Sequence, residues 1–239
     1  LLPFNYYPLT NTKSSKKGGK SSKNHDSKSK SKKDSKRKSK SGTSDQKVSK
    51  KDKGKKTSGN YEIKKFSYNP SNPLIGIFHF LTIKTGGNIH DNNTIEVTSD
   101  NILKSIRKGE GQDPNHPKNL LNDDLKSFYR PDKSMENFFI QFDFKNMEVE
   151  ISSYVIRTAG KGHANMKNWV FEISEDGSKW TQIDSHNDYT YIQDTVNFEV
   201  NKKRFVRYAR IHQTGPPSEN TLRLWINAVE FYGKLKMPE

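Results

Sequence analysis

An all-β fold, two antiparallel sheets packed face to face behind an unfolded basic tail, is what this 239-residue sequence predicts. Three observations carry the expectation. Short segments in which apolar and polar residues alternate fill the second half of the chain, and turn residues separate them. Asn168 to Asp184, NWVFEISEDGSKWTQID, reads as a complete hairpin. No stretch shows the apolar spacing of a long amphipathic helix, which leaves a two-sheet sandwich as the architecture.

The tail comes first in the chain. Asn11 to Asn60 holds 19 Lys and Arg against 4 Asp, whereas all other positions hold 23 basic and 23 acidic residues, so the net charge of +15 belongs to one segment. That segment has one large aliphatic residue, Val48, and no aromatic, and it lacks the apolar surface needed to offset chain entropy. Residues 1–60 are therefore read as a disordered, low-complexity basic linker. A run such as KSKSKKDSKRKSK attracts nucleic-acid phosphates or an acidic membrane surface through counterion release. Without aromatics to stack on bases, such binding is non-specific. A nuclear address, a serine-phosphorylated switch and a plain solubilising linker are the other readings.

The chain has no cysteine, which excludes disulfides, thiolate nucleophiles and Cys-based zinc sites. It has no apolar run of membrane-spanning length. The first ten residues, LLPFNYYPLT, carry neither an initiator Met nor the basic start of a signal peptide. The expectation is a piece of a longer polypeptide, or a chain with a trimmed N-terminus, in a reducing, intracellular compartment, the cytoplasm, with the nucleus as the alternative.

Residues 61–73 form a boundary punctuated by Asn69-Pro70 and Asn72-Pro73. Leu74 to Ile83, LIGIFHFLTI, is an apolar run whose length favours a strand over a short helix, and Gly86-Gly87 ends it. Ile95 to Thr98 is a short extended piece, and Asn101 to Pro117 a charged surface loop. Phe138, Ile140, Phe142 and Phe144 alternate with Phe139, Gln141 and Asp143, giving a strand with an aromatic inner face. In Val149 to Thr158 the alternation slips at Ser152-Ser153, which predicts a bulge. In the central hairpin Trp169, Phe171 and Ile173 share one face, Gly177 supplies the positive φ of the turn, and the second arm begins at Trp180. Val196, Phe198 and Val200 mark another strand, Arg204 to Gln213 a long two-sided one, and Leu222 to Tyr232 the last.

These segments resemble the discoidin family, also called coagulation factor 5/8 type C domains. NWVFEISEDGSKWTQID is similar to that family's central hairpin, RFVRYARIHQTG to its Arg-Tyr-x-Arg-Ile strand, INAVEFYG to its closing strand, and NFFIQFDFKNMEVEISSYVIRT to the strand pair before the hairpin. Phe139 stands about where the family commonly has Trp. The resemblance runs from about Ile75 to Leu235 and implies a galactose-binding-like β-jelly roll over residues 74–236. GIFHFLTIKTGGNIHDNNTIEVTSDN ahead of KNLLNDDLKSFY is similar to the intracellular discoidin-like domains that protists attach to BTB-BACK proteins. Extracellular members usually staple their ends with a disulfide, and this chain departs from them by having no Cys.

The seven His show neither zinc-protease spacing nor a nucleophile elbow, so no catalytic residue and no cofactor is assigned. The resemblance places two candidate calcium ligands, Asp123 in an early turn and Glu230 on the last strand; the structural alternative is that Asp123 caps a turn and Glu230 pairs with a nearby Arg. A ligand surface belongs on the rim loops of a sandwich. The candidates are Arg157, Lys161, His163 and Asn165 before the hairpin, Tyr129 and Arg130 in the early loop, and Arg223 with Trp225 after Pro216-Pro217. The plainer alternatives are packing for Trp225, a charge partner for Arg157 and solvation for His163. The function expected is a non-catalytic binding module whose rim loops recognise a protein partner, within a BTB-BACK-like multidomain protein; the resemblance to the BTB-linked group implies substrate capture for a cullin-type ubiquitin ligase, although no BTB sequence is present in this chain. The alternatives are nucleic-acid or acidic-membrane binding through the tail, and carbohydrate binding as in other galactose-binding-like domains.

Overall fold

The computed structural model describes residues 60–101, 115–131, 137–160, 163–191, 193–218 and 224–239. The tail and most of the loop expected after Asn101 lie outside them. The elements in chain order are β1 (Tyr61–Phe66), α1 (Ile77–Thr85), β2 (Glu96–Ser99), a 3-10 helix (Pro117–Leu121), β3 (Asn137–Asp143) and β4 (Glu148–Thr158). The hairpin β5 (Trp169–Ser174) and β6 (Thr181–His186) follows, then β7 (Thr195–Glu199), β8 (Tyr208–Thr214) and β9 (Ile226–Pro238). One sheet has the order β1-β9-β4-β7 and the other β2-β3-β8-β5-β6, with antiparallel pairing throughout. The expected all-β sandwich is the fold observed.

Alternation decides which residues meet between the sheets. Phe138, Ile140 and Phe142 of β3 are buried, as are Trp169, Phe171 and Ile173 of β5. Across the interior, Phe171 meets Phe231 at 5.4 Å and stacks on Tyr154 at 4.3 Å, and Trp169 packs edge-on against Phe198 at 5.3 Å. A buried polar line ties the same residues together: Trp169 Nε1 donates to the Tyr154 hydroxyl at 2.9 Å, which donates to Asp184 Oδ2 at 2.8 Å. The hairpin turn is as expected, with Gly177 at φ 73° and Asp176 Oδ1 accepting from the N–H groups of Ser178 and Lys179. The bulge also falls where alternation slips, between Ile151 and Ser153.

Three expectations are corrected. Leu74 to Ile83 is not a strand; from Ile77 onward it belongs to α1, which buries Ile77, Phe78 and Leu81 on one face and seats Phe78 against Phe231 at 4.8 Å. The 61–73 segment is more than a boundary, since β1 pairs with β9 from Tyr61 opposite Pro238 to Phe66 opposite Gly233. Beyond it, Phe66, Tyr68 and Leu74 cover the outer face of that sheet over Val155, Ala228 and Tyr232. This cover is why β9 is buried on both faces from Ile226 to Gly233 and shows no alternation there. The last strand accordingly runs well past Tyr232, to Pro238.

Two imidazoles hold the loop between α1 and β2 to the 3-10 helix. His90 Nδ1 accepts the Val97 N–H at 3.1 Å, His116 Nδ1 accepts the Lys118 N–H at 3.0 Å, and the rings lie 4.9 Å apart. Burial holds the His90 pKa below its usual 6.5, with Lys118 and Lys145 lowering it further and Asp91 and Glu96 opposing. A histidine with a depressed native pKa binds fewer protons folded than unfolded, so stability declines as pH falls below about 6.5. His90→Asn keeps an acceptor for Val97 and removes the titration. Between pH 7 and pH 5, urea melts are expected to show wild type losing more stability than this variant; parallel losses contradict the assignment.

Candidate functional site

The rim is built by backbone pairing between loops. Tyr129 and Ile226 exchange N–H···O bonds at 2.9 and 3.1 Å, and Ala164 bridges Leu224, with the Trp225 N–H directed at the Ala164 carbonyl. Trp225 is thereby held between the 128–130 and 163–165 loops. Asn227 sits where β4 and β9 shift register, between Arg157 opposite Ala228 and Thr158 opposite Ile226. Its Nδ2 donates to the carbonyls of Asp124 and Ser127 at 3.0 and 2.7 Å, fixing the loop that leads to Phe128 and Arg130. Asp124, rather than Asp123, caps that turn, accepting from the Lys126 and Ser127 N–H groups at 2.7 and 2.6 Å. Ser218 closes the same rim: its Oγ accepts from the Asn165 N–H at 3.0 Å and its own N–H donates to the Asn165 carbonyl at 2.9 Å.

Trp225 is the centre of the resulting cluster. The His163 ring stacks on it with centroids 4.1 Å apart and planes inclined by 16°, the Arg130 guanidinium lies 4.8 Å from the ring centroid, and Phe128 tilts against it at 5.3 Å. All four side chains are partly exposed. The Nε of Arg130 is buried without a hydrogen-bond partner, as is Asn165 Oδ1. An aromatic platform edged by a guanidinium, an imidazole and an amide presents donors and an apolar face together, the composition of a recognition site.

Of the sequence candidates, the structure brings Arg130, His163, Asn165 and Trp225 onto this rim. It places Tyr129 and Arg157 elsewhere. Tyr129 is wholly buried, its hydroxyl hydrogen-bonded to the Asn101 carbonyl at 2.6 Å and Ser99 Oγ at 2.7 Å, and burial pushes its phenol pKa well up. As part of the core it has no surface to offer a ligand. Arg157 is a strut: it ion-pairs with Asp123 at 3.1 Å, donates to the Asp124 carbonyl at 3.0 Å and bonds Asn227 Oδ1. Lys161 and Arg223 lie outside the described residues. Phe128 was missed, because its only sequence signal was being the aromatic neighbour of Tyr129 on the opposite side of an extended segment.

The calcium candidates Asp123 and Glu230 border one small cleft of about 50 Å³ under α1, but each carboxylate has another partner. Asp123 holds Arg157. Among the described residues Glu230 pairs with no arginine; it caps α1. Its Oε1 accepts from the Phe78 and Phe231 N–H groups at 2.8 and 2.7 Å, and its Oε2 from Gly76 and His79 at 3.1 and 3.0 Å. Burial pushes its pKa up to about 7, against the pull of those four donors toward the anion. Carboxylate oxygens surrounded by N–H groups face positive ends of dipoles and give a cation no open coordination site.

The profile of the F5/8 type C domain matches residues 82–231, more than half of the sequence. The chain belongs to the F5/8 type C family. Such domains are binding modules. Curated relatives of this F5/8 type C domain include the E3 ubiquitin-protein ligase Ufd4 of Drosophila melanogaster, 28% identical over 102 residues. That match takes in 36% of this chain, and the chain spans only 4% of the ligase's length. Among solved structures, a putative chitobiase fragment from Bacteroides thetaiotaomicron is similar at 16% identity and a TM-score of 0.49, covering 60% of this chain and 90% of that one. The C-terminal domain of a chitobiase from Bacteroides fragilis gives 23% and 0.46, over 59% and 93% of the two chains. A carbohydrate-binding module from Clostridium perfringens, in complex with GalNAc-β-1,3-galactose, gives 12% and 0.46, over 59% and 96%.

Proposed function

We propose that this F5/8 type C domain captures a protein partner through the rim cluster centred on Trp225. One observation carries the reading: a tryptophan locked between two hydrogen-bonded loops presents, within contact distance, an arginine and a histidine that form no ion pair among the described residues. Partly exposed Trp and Arg side chains at one spot are the residue types that dominate protein interfaces. A protein is favoured over a sugar because the His163 ring lies flat on the indole at 4.1 Å and takes up a face on which a pyranose would stack.

The setting we infer is intracellular, in a BTB-BACK-like multidomain protein that brings substrates to ubiquitin ligation. The absence of cysteine supports the compartment, and the similar 102-residue stretch in a Drosophila ubiquitin ligase supports the pathway class. Trp225→Ala in the full chain is expected to weaken partner capture at least about tenfold, the scale of a hot-spot residue, with the melting temperature little changed. Capture that survives in the variant and disappears as salt is raised belongs to the basic tail and overturns the reading. A hit on a glycan array that Trp225→Ala abolishes replaces the protein partner with a carbohydrate.

A further inference from the structure

We propose that Arg130 is the receptor for a carboxylate on the partner, a glutamate or aspartate side chain or a chain terminus. The inference rests on the rim reading above and adds to it the chemistry of the group bound. Every other arginine among the described residues already holds a carboxylate: Arg157 with Asp123 at 3.1 Å, Arg204 with Glu175 at 3.5 Å, Arg207 with Asp143 at 2.6 Å and Arg210 with Glu172 at 2.7 Å. Arg130 stands apart. Among the described residues no acidic side chain pairs with it, and its Nε is buried without an acceptor.

A buried N–H donor without an acceptor has lost its hydration with nothing in return, so a ligand that supplies an acceptor offsets that loss on binding. The guanidinium is planar and presents its N–H groups as a rigid fork that fits the two oxygens of a carboxylate. Lying against the Trp225 ring, it is held in one plane and loses little freedom when the fork is filled. His163, on the same indole, makes no hydrogen bond among the described residues and adds a further donor beside the fork. A phosphate is the poorer fit, since Arg130 is the sole described cation against Trp225 and a dianion draws several.

The test uses the full chain, labelled with nitrogen-15, and follows the Arg130 Nε–Hε and Trp225 Nε1–Hε1 resonances. The probes are N-acetylglycine, N-acetylglycinamide, galacturonate and galactose, compared in the millimolar range expected of so small a contact. Arg130→Lys identifies the arginine resonance and keeps the charge while removing the fork. N-acetylglycine is expected to shift both resonances saturably, and the neutral amide to leave them in place; Arg130→Lys loses about tenfold in affinity, read at Trp225. Equal shifts from the amide or galactose, or no shift from either acid, overturn the proposal. A response to galacturonate with none to N-acetylglycine keeps the carboxylate but removes the protein source. If Trp225→Ala abolishes partner capture while Arg130→Lys and Arg130→Gln retain it in folded protein, the carboxylate proposal fails and the rim reading stands.

Discussion

Replacing Gly233 with alanine is expected to destabilise the domain by at least about 4 kcal/mol, in the range that only a few named mechanisms reach. Gly233 lies inside β9, the strand between β1 and β4, opposite the bulge at Ile151 to Ser153. A Cβ there would stand 1.9 Å from the Glu150 carbonyl oxygen and 2.9 Å from the Ser152 nitrogen, and both are backbone atoms in the adjacent strand. Neither can rotate aside as a side chain would. The φ of 138° adds strain for any residue with a Cβ. Relief requires β4 and β9 to separate at the centre of their sheet. Gly87→Ala is the control: its φ of 77° is left-handed, yet its Cβ meets nothing within 4 Å. That variant isolates the conformational cost of about 1–2 kcal/mol. Thermal melts are expected to place Gly233→Ala lower than Gly87→Ala by at least about 4–12 °C, taking roughly 2–4 °C per kcal/mol for a domain of this size. Similar melting temperatures for the two would mean that the strands part easily here and that the close approach is not a constraint.

Removing the Glu230 carboxylate is the second large perturbation. Glu230→Ala strips the acceptor from four buried or part-buried N–H groups at once and leaves the start of α1 without a cap, since Gly76 has no side chain and the first turn holds no acid. A loss of about 3–5 kcal/mol is expected, the scale of breaking a buried charged contact by deleting one partner. Glu230→Gln tests the cause. It keeps the shape, but its amide nitrogen turns N–H groups toward N–H groups, so most of the loss should remain at pH 8, where the wild-type carboxyl is ionised. Urea unfolding followed by tryptophan fluorescence, with amide exchange at Phe78 and His79 as a local readout, separates loss of the cap from loss of packing. A glutamine variant as stable as wild type, with Phe78 and His79 still protected, would show that shape alone holds α1 in place.

The strands with one wet face were legible in the sequence because a period of two writes burial directly into residue order. Phe138, Ile140 and Phe142, and Trp169, Phe171 and Ile173, each identify their inner face without reference to any other segment. The slip at Ser152-Ser153 located the bulge for the same reason. The rim was half legible. Trp225 stood off the apolar face of its segment and reached the surface, and Arg130, His163 and Asn165 sat in the right loops. Tyr129 and Arg157 occupy neighbouring positions yet serve the core and the frame, and nothing in their local sequence separates them from Arg130. The difference lies in partners such as Ser99, Asp123 and Asn227, which come from distant segments.

By itself the sequence determined an antiparallel two-layer domain, its central hairpin and its aromatic interior, since these follow from alternation and turn chemistry within a few neighbouring residues. Tertiary structure alone decided that Ile77 to Thr85 coils into a helix, that residues 61–66 form a strand, and that Arg130, His163 and Trp225 meet. The helix cap is a carboxylate 154 positions beyond Gly76, β1 gains its hydrogen bonds from the far end of β9, and the rim cluster joins three loops. A backbone donor is satisfied by whatever acceptor the fold delivers to it, and that delivery is a property of the packed chain, not of the local residues.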